Sequence, residues 1–138
     1  MRLTQSPLLL LGLALLLPLH GCQQVKEERE HRLLESATNG YRQAIRWGYN
    51  DAALQFIEPD KRPEEPSELF DNIRVTGYEV VRPPVIIADG RAEQIVRIEY
   101  VLSDRQALKS IADRQQWIYD EETSNWWLSS GLPEFKTD

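Results

Sequence analysis

Cysteine is all but missing from this chain: Cys22 is the single one in 138 residues, so no disulfide within the chain can staple the fold. Histidine is nearly as scarce, with only His20 and His31. A multi-histidine metal site is thereby excluded, and a Ser-His-Asp triad would have to recruit His31 from a polar, charge-dense stretch. There is no glycine-rich phosphate loop. The acidic loop holding Glu58, Asp60, Glu64, Glu65, Glu68 and Asp71 lacks the alternating ligands and the glycine of a calcium loop, so solvation explains it better. No cofactor and no metal are expected. Positive charge is also short, with sixteen basic against twenty-two acidic side chains and a net charge of −6. That sign disfavours phosphate backbones, and nucleic-acid binding is not expected. The longest apolar run, Leu8 to Leu17, falls short of the roughly 20 residues that a membrane-spanning helix needs.

What is present at the amino end has a defined order. Arg2 supplies a positive start, Leu8 to Leu17 an apolar segment, and Leu19-His20-Gly21-Cys22 follows. These four residues resemble the bacterial lipobox, with leucine three places before the cysteine and a small residue directly before it. His20 departs from the pattern, which has a small residue there. The resemblance implies cleavage after Gly21, a diacylglyceryl thioether on Cys22 and an acyl chain on its new amino group. One acyl chain anchors only marginally and two or three anchor durably, at about 0.8 kcal/mol per buried methylene. Gln23 stands where an aspartate would favour the inner membrane, so the resemblance points to the periplasmic face of the outer membrane. Loss of residues 1–21 takes Arg2 away, leaving fifteen basic and twenty-two acidic side chains, net −7, in 117 residues. A chain of that size supports one core without disulfides.

Three segments are expected: a signal peptide over 1–21, an acylated Cys22 with a polar tether over 22–32 that can continue into the first helix, and one α+β domain over 33–135. Leu33, Leu34, Ala37, Tyr41, Ala44 and Ile45 recur three and four apart and predict a helix ended by Gly48. Gly40 weakens it by about 1 kcal/mol relative to alanine. A short helix over Ala52 to Ile57, capped by Asn50 or Asp51, runs into Glu58-Pro59, and a helical turn is placed near Ser67 to Phe70. From Ile73 the period changes to two. Four strands are predicted: Ile73 to Ile87 bent at Pro83-Pro84, Ala92 to Leu102, Leu108 to Tyr119, and Trp126 to Ser129. Asp89-Gly90 is expected to supply the positive φ angles of a primed hairpin turn. The fold class is α+β, with amino-terminal helices packed on a curved antiparallel four-stranded meander.

Residues Trp47 to Asp60, with Asp51-Ala52-Ala53-Leu54 running to Pro59, resemble the opening of the nuclear transport factor two-like superfamily. Gln116-Trp117-Ile118-Tyr119-Asp120 and Trp126-Trp127-Leu128 are similar to its paired final strands. The resemblance implies a cone-shaped sheet wrapped on helices with a pocket at its open end. The superfamily holds isomerases, cyclases and dehydratases of ketosteroid-isomerase and polyketide-cyclase type beside members without activity, so fold alone assigns no reaction.

Strand parity sets Ile111, Asp113, Gln115, Trp117 and Tyr119 on one face. If that face is concave, Asp113 stands among aromatics as a general base, with Tyr100 as oxyanion donor. The stronger expectation places Asp113 at the solvated mouth or on the outer face, because one carboxylate with unproven neighbours is thin support for a site. Trp117 is expected to pair across the last hairpin with Trp126 or Trp127, of which only one points inward. The outward one is a contact for a partner, and Trp47 lines the mouth. The function expected from these residues is a membrane-attached binding or scaffold module. It recognises an envelope protein or a small apolar ligand, using Trp47, Gln115, Trp117, Tyr119, Trp126 and Trp127, and an isomerase-like enzyme based on Asp113 is the alternative.

Overall fold

The computed structural model describes residues 19–64 and 70–138. The apolar run of the expected signal peptide and most of the turn expected near Ser67 lie outside them. The chain divides after Glu30 into two units. Helix α1 runs Leu19–Trp47, so the stretch read as a tether is helical, and its side chains from Gly21 to Arg29 are exposed. Glutamate, lysine and arginine dominate it, all good helix formers, and Lys26 meets Glu30 one turn on at 3.8 Å. No helix of the described residues is long and apolar enough to cross a membrane.

From His31 onward one unit holds the core. The expected face of α1 is the buried one: Leu34, Tyr41, Ala44 and Ile45 are buried, with Leu33 and Ala37 packed against them. Gly48 takes φ +71 and ends the helix. The second helix, α2, is Asn50–Leu54. Its cap is Tyr49, with no side-chain hydrogen bond, so neither Asn50 nor Asp51 caps it. Gly40 is needed for a different reason than helix propensity. A Cβ there would stand 2.7 Å from Cζ of Phe56, so its absence lets α1 and the end of α2 come together.

The sheet is an antiparallel meander in sequence order: β1 Ile73–Ala88, β2 Arg91–Leu102, β3 Ala107–Asp120 and β4 Asn125–Leu128. Strands β2 and β3 pair without interruption from Arg91↔Ile118 to Leu102↔Ala107. Strand β1 instead shifts register against β2 four times, one shift falling between Arg82 and Val85, where Pro83 and Pro84 sit. Each shift adds a residue and bends the strand. At the first hairpin only Gly90 has positive φ, +62; Asp89 does not, so the turn is not of the doubly positive primed type. An extra residue falls between Ile86 and Ala88 beside this turn, and a bulge of that kind increases local twist. At the last hairpin Trp117 faces Leu128, while Tyr119 faces Trp126 with ring centroids 5.2 Å apart. The cross-strand partner of Trp117 is therefore neither of the two tryptophans.

Candidate functional site

Ala92, Val96, Ile98, Tyr100 and Leu102 of β2 are buried on the sheet's inner face, and the odd-numbered residues of β3 lie opposite them. Asp113 accordingly lies on the inner face, not the outer. Gln115 and Trp117 beside it are buried, and Tyr119 is half-buried. At the α2 end of this face, Tyr41, Phe56 and Trp117 meet edge to face, with centroids 5.8 to 6.4 Å apart.

Next to these rings lies a polar group assembled from four elements. Gln94 Nε2 donates to Gln115 Oε1 at 2.9 Å. Gln115 Nε2 donates in turn to the Tyr78 hydroxyl and to Asp113 Oδ2, both at 2.9 Å. Tyr41 reaches the same place from α1, and its buried hydroxyl has no hydrogen-bond partner. Burial raises the Asp113 pKa, partly offset by the Gln115 bond. Burial also lifts Tyr78 to about 12. It holds Tyr41 well above the ordinary tyrosine value, with the Asp113 charge adding to the effect. An acid that resists ionisation beside two tyrosine hydroxyls can hold a proton or accept one.

Of these residues, parity identifies Asp113 and Gln115. Gln94 was within reach of the same count, two places before Val96. Tyr41 reads as a core residue because it falls on the apolar stripe of α1. Tyr78 is hidden for a physical reason: strict alternation from Val75 would turn it outward, and the shift between Val75 and Gly77 turns it in, opposite Ile98.

Tyr100 is not part of this group. Val96 pairs with Asp113 and Tyr100 with Lys109, so four residues, about 13 Å, separate them along the sheet. Its hydroxyl is already bonded to the carboxy-terminal segment, donating to the Lys136 carbonyl at 3.1 Å and accepting from the Lys136 N–H at 2.9 Å. The Phe135 ring packs on Tyr100 at 4.9 Å and on Phe70 at 5.7 Å. That end of the inner face is filled by the chain itself.

The tryptophans divide as parity requires: Trp126 is buried and Trp127 half-buried. Both border a groove of about 510 Å³ between α1, Phe56 and the last hairpin. Trp47 is 60% exposed, bonded through Nε1 to Gln43 and covered by the Arg46 guanidinium at 4.7 Å. A second groove, about 410 Å³, runs between β3 and the carboxy-terminal segment and includes Asp113 in its lining. Among the described residues no cluster of three or more histidine, cysteine or acidic side chains is placed to hold a metal.

No model of a known protein family matches the chain, and no curated protein matches it. Among solved structures, a ketosteroid isomerase-like protein from Erwinia carotovora atroseptica SCRI1043 is similar with TM-score 0.55 and 15% identity, over 71% of this chain and 89% of that one. At that identity the likeness concerns architecture. The domain has the α+β fold of ketosteroid isomerase-like, nuclear transport factor two-like proteins, as the residues around Trp47–Asp60 and the final hairpin imply.

Proposed function

We propose that this chain is a non-catalytic binding module, held by acyl chains on Cys22 at the periplasmic face of a bacterial outer membrane, whose partner is another envelope protein. The observation that carries the reading is the occupancy of the inner face. Phe135 and Lys136 fill the Tyr100 end, and Tyr41, Phe56 and Trp117 fill the other. Recognition is thereby left to the exterior and to the grooves at the rim of that face, beside Asp113 and between Ile57, Leu128 and Phe135. The lipobox resemblance and Gln23 support the anchor and its sorting, and Cys22 is exposed.

Cys22→Ser is expected to move the protein from the membrane to the soluble fraction and to remove the mass of the acyl chains. In-cell cross-linking with mass spectrometry of the wild type is expected to yield one defined envelope partner, in the same amount with Asp113→Asn. A second reading, a small-molecule enzyme with Asp113 as base, is favoured by the raised Asp113 pKa and by the opening of its groove. Turnover of a small molecule by the wild type that is lost in Asp113→Asn, with unchanged cross-linking, would replace the first reading by the second.

A further inference from the structure

The two long edges of the sheet are built differently. β1 carries prolines 83 and 84 and four register shifts, devices that blunt an edge against pairing. β3 carries none. Beyond β4, which covers only Trp117 to Asp120, its edge is met by the chain at one further residue. Ser129 N–H donates to the Gln116 carbonyl at 2.8 Å, and Gln116 N–H donates to Ser130 Oγ at 3.1 Å. Both main-chain groups of Gln116 thus point away from β2. Because β2 and β3 pair without a shift, alternation turns the N–H and C=O of Arg114, Ala112 and Ser110 the same way. Among the described residues no hydrogen bond engages them. After Ser130 the chain leaves the edge at Gly131, φ +82, and rejoins the sheet only at Tyr100 and Lys109. The groove of about 410 Å³ lies in that interval, bordered by Ser110 to Arg114 on one side and Leu132, Glu134 and Lys136 on the other.

We propose that this interval of β3 docks an extended segment of a partner protein, which continues the lane of β4 and Ser129 and pairs with Ser110, Ala112 and Arg114. Three unpaired N–H and C=O groups, two residues apart, select an extended backbone by their spacing, and Gln116 shows the chain itself using the next position in the row. Alternate side chains of the guest would face Ile111, Asp113 and Leu132 on the inner side, and Ser110, Ala112 and Arg114 on the outer. The proposal deepens the binding reading and rests on it.

A blocked heptapeptide of alternating valine and threonine is a suitable probe. Titrated into the full chain, it is expected to bind saturably and to slow amide hydrogen exchange at Ser110, Ala112 and Arg114. The same peptide N-methylated at alternate residues has its side chains but not its donors, and is expected to bind at least tenfold more weakly. Ala112→Pro removes a donor that faces the groove and none that faces β2, so it is expected to keep the fold and lose the peptide to the same degree. Equal binding of the methylated peptide, no binding, or protection of those amides by self-association before any peptide is added would each overturn the proposal. None of these outcomes touches the reading of Asp113, and a partner that cross-links undiminished to Ala112→Pro would leave the binding module standing while removing this edge from it.

Discussion

Trp117 and Asp113 share the inner row of β3 four residues apart, and they represent two ways of filling one face. Around Trp117 the material is aromatic, and its contacts with Tyr41 and Phe56 are non-directional enough to tolerate small shifts. Around Asp113 the contacts made through Gln115 are hydrogen bonds, each with one donor and one acceptor, and Gln115 is the hub that joins Gln94, Tyr78 and Asp113. The first region supplies stability. The second costs stability and keeps a titratable group, an arrangement that packing alone does not call for.

Substitution separates the two most clearly at Trp117. Trp117→Ala is expected to cost about 3–5 kcal/mol in urea unfolding, because a large cavity opens where Tyr41 and Phe56 meet. Gln115→Leu keeps the volume but leaves Gln94 Nε2 and Asp113 Oδ2 without their partner, and is expected to cost about 1–3 kcal/mol by the same measurement. Tyr41→Phe should go the other way. It deletes a buried hydroxyl that has no hydrogen-bond partner, and a gain of about 1 kcal/mol is expected. The smallest effect is pH-dependent. Burial raises the Asp113 pKa in the folded protein, so the fold holds this proton more tightly than the unfolded chain does. Stability from that proton is complete below the unfolded value, about 3.9, and is lost as pH rises through the folded one. Asp113→Asn, which still accepts from Gln115, is therefore expected to melt higher than wild type at pH 7, with the advantage gone below about pH 4. A wild-type advantage at pH 7 would mean that the carboxylate stabilises the network, and the contrast with Trp117 would fail.

Much of this contrast was legible in the residues. Alternation from Val96 to Leu102 found the buried row of β2, and three-four spacing found the buried face of α1, because both patterns follow from backbone geometry alone. On β3 alternation groups Ile111, Asp113, Gln115, Trp117 and Tyr119 on one face but does not say which way it points; the stronger expectation for Asp113 is the mouth or the outer face, and only the pairing with the buried row of β2 turns the set inward. What alternation could not reach was β1, where an unpaired extra residue after Val75 reverses the parity and brings Tyr78 to the polar group. Nor does a residue pattern show that Tyr100 is tied to Lys136, a contact 36 residues apart that depends on the path of an irregular segment. The expected partner of Trp117, Trp126 or Trp127, lies two places or one place from the observed Leu128, and Trp126 meets Tyr119, two places from Trp117, because the last hairpin's register rests on its turn, where Ser124 takes φ +54. The stretch from Gln23 to Arg32 reads as a polar tether that can continue into the first helix, since it has no apolar stripe, and the continuation is what forms, from residues of good helix propensity.

The prolines and repeated shifts of β1 also bear on stoichiometry. Growth of a fibre by stacking copies margin to margin requires each copy to be receptive on both sides, so that every addition leaves a fresh place for the next. Here one margin is spoiled for such stacking, and a guest docked on the other would end the series. Docking at β3 would then give one-to-one pairs, not filaments.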